Sequence, residues 1–157
     1  MDWGIVTIAL LAALAALLVS AGIQDARTRE IANWKNAAIA LLAPLWWLAT
    51  GLAPWPDLAI QIGLAVGIFA LFCGAFYFGQ MGGGDVKMIG AIALWLPAQP
   101  LLWMLIVMSI AGGVLTLVML AEQRLRARSG AIEVPYGVAI AFATLLTLRE
   151  PLFNHFA

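Results

Sequence analysis

Two carboxylates stand at the ends of apolar stretches in this chain. Asp25 closes the first stretch, and Asp85 follows three glycines in Met81-Gly82-Gly83-Gly84-Asp85-Val86-Lys87. An ionisable group at the edge of a membrane helix is costly, which makes it a functional candidate by default. The glycines carry no side chains, so another backbone, such as an extended peptide, can approach closely. Two carboxylates that share a site cannot both ionise freely. One proton is held between them, and their apparent pKa values split. The ionised partner can take a proton from water while the protonated one polarises an amide carbonyl, as in soluble aspartic proteases. That chemistry needs no metal, serine or cysteine. A helix start at Asp85 favours its charged form, and a helix end at Asp25 disfavours it, with Arg27 and Arg29 opposing. Either aspartate can begin as the base.

The elements that carry these residues are apolar. Of 157 residues, 64% are hydrophobic and 10% charged, and the mean hydropathy is +1.01. Soluble domains carry about 25% charged residues, so the composition indicates a membrane-embedded chain, and its length suits one helical bundle. The expectation is an all-α polytopic bundle formed by residues 1–157 as one domain. A net charge of zero gives no sign of nucleic-acid binding. The one cysteine, Cys73, excludes an internal disulfide and a Cys-x-x-Cys zinc site, and reads as a small buried hydrophobe. No cofactor or metal is expected.

Spanning the hydrocarbon core takes about 17 to 25 apolar residues. Trp3–Ile23, Ala37–Ala53, Leu58–Phe78 and Leu101–Ala121 qualify, and the shorter Val86–Leu96 and Val134–Leu148 bring the count to six. The N-terminus lacks a basic segment, so the first run reads as a span and not a cleaved signal. Six spans put both termini on one side. The loops after spans one, three and five hold Arg27, Arg29, Lys35, Lys87, Arg124, Arg126 and Arg128, against Arg149 alone on the other side. By the positive-inside rule those loops are cytoplasmic and both termini extracytoplasmic, with Asp25 and Asp85 at the cytoplasmic face. Trp3, Trp55, Trp95 and Trp103 then fall near the outer interface and Trp34 near the inner one. Gly63-x-x-x-Gly67 and Gly112-Gly113 allow close helix approach.

Each residue also has a plain structural reading. Asp85 can cap span four, and Asp25 can pair with Arg29 four residues on. Lys87 can be a positive-inside anchor or tune the charge of Asp85. Pro135 suits an ordinary helix start. Asp2, Asp57 and Glu150 read as solvated, and His155 lies in an outer tail.

Three blocks resemble the type IV prepilin peptidases, membrane aspartyl proteases of the Gly-x-Gly-Asp type, in the short form that serves tight-adherence (Flp) pili. They are Asp25-Ala26-Arg27-Thr28-Arg29-Glu30-Ile31-Ala32-Asn33, Gly82-Gly83-Gly84-Asp85-Val86-Lys87, and Val134-Pro135-Tyr136-Gly137-Val138-Ala139-Ile140. The family pattern in the first block is Asp, a basic residue two on, then Ile-Pro-Asn, so Ala32 replaces a proline. The resemblance implies Asp25 and Asp85 as the catalytic pair. It implies substrate-binding or site-shaping roles for Gly82, Gly84, Lys87, Arg27, Asn33, Pro135, Tyr136 and Gly137. It also implies a prepilin or pseudopilin substrate with a short basic leader, the bacterial inner membrane as location, and pilus-assembly machinery as a further partner. Bifunctional members carry a cysteine-rich insertion linked with N-methylation; with Cys73 alone, this chain resembles a peptidase without that part. Two other classes fit paired carboxylates or a pilus context: a small cation or proton transporter, and an inactive assembly subunit. Neither would cleave a peptide.

Overall fold

The apolar runs all fold as helix. The computed structural model describes residues 3–126 and 134–154, and among these the chain forms six α-helices. They are α1 (Trp3–Thr28), α2 (Asn33–Ala49), α3 (Ala59–Tyr77), α4 (Gly83–Ala93), α5 (Ala98–Leu125) and α6 (Tyr136–Asn154). An irregular turn, Pro54–Leu58, leads into α3. Arg128, Asp2 and His155 lie outside the described residues, as does the far end of the 122–133 loop.

The helix ends differ from those expected from hydropathy. Helix α1 continues past Ile23 to Thr28, which places Asp25 inside the helix. Helix α2 starts at Asn33 instead of Ala37, and α4 starts at Gly83 instead of Val86. Hydropathy marks the apolar length, whereas the hydrogen-bond ladder runs on through polar residues until a cap or breaker stops it. Three segments are long and apolar enough to cross a membrane: Gly4–Thr28, Pro54–Tyr77 and Ala98–Leu125. Helix α2, interrupted by Pro44, has 17 residues, and α4 has 11. Length alone thus supports three of the six expected spans.

Helix α4 is both short and enclosed. It packs against α2, α3 and α6, and its residues Met88–Ala93 are all buried. Met88, Ile89 and Ile92 meet a core that includes Leu11, Leu14 and Leu18 of α1, Ile39 of α2 and Ile140 of α6. A helix ending inside the bundle leaves carbonyls without water, and these must find partners. The Gln61 side chain donates to the carbonyls of Ala93 at 2.6 Å and Leu96 at 2.8 Å. The Trp47 indole N–H donates to that of Leu94 at 2.8 Å.

Between apolar helices, close packing does much of the work that water exclusion does in soluble proteins. Gly22 serves this for α1 and α6, since a Cβ there would lie 3.2 Å from the Ala141 Cβ. Gly112 lies under the Tyr136 ring, 2.7 Å from a would-be Cβ, and Gly90 lies under Phe69 at 2.6 Å. Gly63, Gly67 and Gly113 have nothing within 4 Å of theirs, so the expected close approach forms at Gly112 and not at the other three. Trp95, expected near the outer interface, faces the inside of the bundle. It is buried, stacks on Trp46 with ring centroids 5.5 Å apart, and donates to the Ile39 carbonyl. Trp34, Trp55 and Trp103 are exposed.

Candidate active site

The end of α1 and the starts of α2, α4 and α6 converge at one end of the bundle. Helix α1 stops because Arg29 takes a left-handed conformation, φ 58°, and its N–H closes on the Asp25 carbonyl at 2.9 Å. This is the usual helix-ending αL bond, here without a glycine. Glu30, Ile31 and Ala32 then carry the chain to α2. Ala32 holds φ −60°, within the range a proline ring imposes, so the absent family proline leaves the backbone path intact.

Asp25 is 4% exposed. The head of α6 lies against it: a Cβ on Gly137 would sit 2.8 Å from Asp25 Oδ2 and 2.9 Å from Cγ. The backbone amides of Val138 and Gly137 face its carboxylate. Oδ2 itself is buried and has no hydrogen-bond partner among the described residues. No ion pair joins Asp25 to Arg29 or Arg27, both exposed; the one salt bridge among the described residues links Arg126 and Glu122. Arg29 therefore makes no salt bridge with Asp25, although its charge still acts on that carboxylate.

Asp85 is 8% exposed and occupies the first turn of α4. The cap position belongs to Gly82. The Asp85 carboxylate reaches back to the Gly82 amide, in the manner of an acidic third residue in a capping box. A capping contribution and a chemical role therefore coexist in this side chain. Ile31 links the surroundings of the two aspartates, lying against both Gly137, which borders Asp25, and Gly84, which precedes Asp85.

The other sequence candidates divide. Gly137 touches Asp25 and Gly82 touches Asp85. Gly84 lies beside Ile31, whose Cβ is 3.3 Å from a would-be glycine Cβ. Pro135 is buried and ends the link into α6, its carbonyl accepting from the Val138 N–H at 3.2 Å. Tyr136 packs on Gly112 of α5 and so seats α6. Lys87 does not pair with Asp85; its Nζ donates to Asn33 Oδ1 at 2.8 Å, joining α4 to α2. Arg27 makes no ion pair with either aspartate.

Three residues at this end were not singled out from sequence. Asn36, 4% exposed, donates from Nδ2 to the Gly84 carbonyl at 3.0 Å, while its Oδ1 is buried without a partner among the described residues. Lys35 is buried, and its Nζ donates to the Ser20 carbonyl at 2.8 Å, stapling α2 to α1. Ile31 fills the space between Gly84 and Gly137. A polar residue at 36, one turn after Asn33 in an otherwise apolar helix, was the available signal for Asn36. Beside it a cavity of about 500 Å³ opens between α2, α3 and α4, lined by Asn33, Asn36, Phe69, Lys87 and Gly90.

Among the described residues no group of three or more His, Cys, Asp or Glu side chains is arranged to hold a metal ion. The arrangement offers two buried carboxylates at one end of the bundle, flanked by glycines. In comparisons with known proteins, the model of the type IV leader peptidase family matches residues 12–117. That stretch contains Asp25, Asn36 and Asp85 and ends before Pro135–Gly137. No curated protein and no solved structure matches the chain.

Proposed function

The chain belongs to the type IV leader peptidase family, which makes it a protease, and from this and the convergence of Asp25 with Asp85 we propose an aspartyl mechanism. The proposed activity is removal of the short basic leader from type IV, Flp-like prepilins. The observation that carries it is that two buried carboxylates, from α1 and α4, flank the same residue, Ile31, through Gly137 and Gly84 at one end of the bundle. One aspartate holds the shared proton and polarises the scissile carbonyl. The other, ionised, takes a proton from the attacking water. Collapse of the hydrated carbon then breaks the C–N bond, and that proton passes to the leaving amine.

The location follows from the same reading. The chain is one membrane-embedded domain of about six spans in the bacterial inner membrane. The seven-to-one split of basic residues puts the aspartates at the cytoplasmic face, where a prepilin leader is accessible. The absence of a cysteine-rich segment favours peptidase activity without N-methylation, and prepilin processing implies contact with pilus-assembly machinery. Both aspartates sit at helix ends and not at mid-span, where transport sites lie, which disfavours the carrier reading.

The test is cleavage of purified prepilin by the protein in proteoliposomes. Leader release by the wild type, lost in Asp25→Asn and in Asp85→Asn, is the expected result. An intact prepilin after prolonged incubation with well-inserted wild type contradicts the proposal.

A further inference from the structure

Hydrolysis requires that both a water molecule and a peptide carbonyl reach the two aspartates, yet here they are 4% and 8% exposed. The Asp25 Oδ2 is sealed without a donor among the described residues, a costly condition for a carboxylate oxygen. Ile31, itself buried, packs at the glycines beside both aspartates. Its Cδ1 lies 2.8 Å from the position of a Gly137 Cβ, the same distance as Asp25 Oδ2. On the other side, its Cβ, N and O lie 3.3, 3.5 and 3.7 Å from the position of a Gly84 Cβ. Ile31 is thus lodged between two glycines, one next to each aspartate's surroundings, and it fits because neither has a side chain.

We infer that Ile31 occupies the subsite of the substrate peptide, that the peptide enters by displacing it, and that residue 31 thereby governs peptide entry. The inference rests on the proposed peptidase activity. The displaced segment is built to move cheaply. Among the described residues, the N–H and C=O of Ile31 make no hydrogen bond. Its flanks are held from elsewhere: Arg29 N–H on the Asp25 carbonyl, Ala32 N–H on Gln24 Oε1 at 3.4 Å, Lys35 on Ser20, and Asn36 on Gly84. Withdrawing Ile31 therefore breaks side-chain packing and no backbone bond, and local openings of that kind lie at the low end of a protein's stability range. The slot it vacates has two glycine walls and takes an extended peptide segment with a small or aliphatic residue at the dyad.

Site-directed labelling tests this. Cys73→Ser protein is first shown to cleave a cysteine-free prepilin; failure at that step counts against the peptidase reading and not against the role of Ile31. Ile31→Cys is then placed in Cys73→Ser/Asp85→Asn protein, which holds substrate uncleaved, and its maleimide labelling rate is measured with and without prepilin. Labelling is expected to be slow alone and to accelerate about tenfold at saturating prepilin, as displacement exposes the residue. An unchanged or slower rate, or fast labelling without substrate, overturns the inference. A second measurement does not depend on the cysteine variant. With both aspartates intact, Ile31→Ala should lower KM about three- to tenfold with little change in kcat, because a smaller plug raises the fraction of accessible enzyme. An unchanged or higher KM overturns it.

Discussion

Asn36 Nδ2 donates to the Gly84 carbonyl at 3.0 Å, so α2 holds from the side the residue that immediately precedes Asp85. The bond is partly buried, with Asn36 4% exposed, and it ties the first turn of α4 to α2. Displacements of about 1 Å in a reacting group can cost about a hundredfold in rate. Asn36→Ala is therefore expected to lower kcat about ten- to hundredfold, with a smaller change in KM and normal membrane levels. Steady-state cleavage of one prepilin reads this directly. A kcat within twofold of wild type would show that Asn36 does not position Asp85.

Loss of either carboxylate should be as damaging as loss of both. Asp25→Asn and Asp85→Asn each keep the shape of the side chain while removing its capacity to ionise. Residues that act as a unit give single losses about equal to the double loss. Processing assays on both single variants and the double variant, at matched abundance, measure it. Near wild-type processing by either single variant refutes the pair.

The pH dependence follows from the shared proton. A pair that works with one carboxyl protonated and the other ionised fails when both are protonated and when both are ionised, so kcat against pH is expected to be bell-shaped, with two apparent pKa values that belong to the pair. Steady-state cleavage of one prepilin across pH measures it. A kcat that climbs steadily into the alkaline range contradicts the pair.

The glycines should differ in cost. A methyl on Gly137 would meet Asp25 Oδ2 and Ile31 Cδ1, each at 2.8 Å, so Gly137→Ala is expected to abolish processing. At Gly84 a side chain would stand in the slot beside Asp85 that the substrate backbone takes, so Gly84→Ala is expected to be intermediate and Gly84→Val very poor. Gly67→Ala, with nothing within 4 Å, should behave as wild type. Cleavage rates at matched membrane levels rank the set, and equal rates for all four would remove the close-packing argument.

Sidedness can be checked independently of activity. A reporter fused after Ala157 should read as extracytoplasmic, and one inserted in the 122–133 loop as cytoplasmic, following the distribution of basic residues. The reverse result would place the aspartates away from a cytoplasmic leader.

Helical class, the two aspartates and the blocks around them were legible in the residues themselves. Long apolar runs admit no other satisfied backbone in lipid, and a carboxylate beside glycines stands out against a background that is 10% charged. Helix limits were less legible, because hydropathy reports which residues lipid tolerates and not where a cap halts the hydrogen-bond ladder. Thus Asp25 proved to lie within α1, and Gly82, not Asp85, proved to be the α4 cap. Pairings across the bundle were not legible at all. Lys87 turns to Asn33, Asn36 to Gly84, Trp95 to Ile39 and Ile31 into the slot between Gly84 and Gly137. Composition and spacing determined which groups are available for chemistry. Which of them meet, and what stands between them and a substrate, depends on how α1, α2, α4 and α6 pack. That packing is a property of distant segments fitting together, which no local pattern encodes.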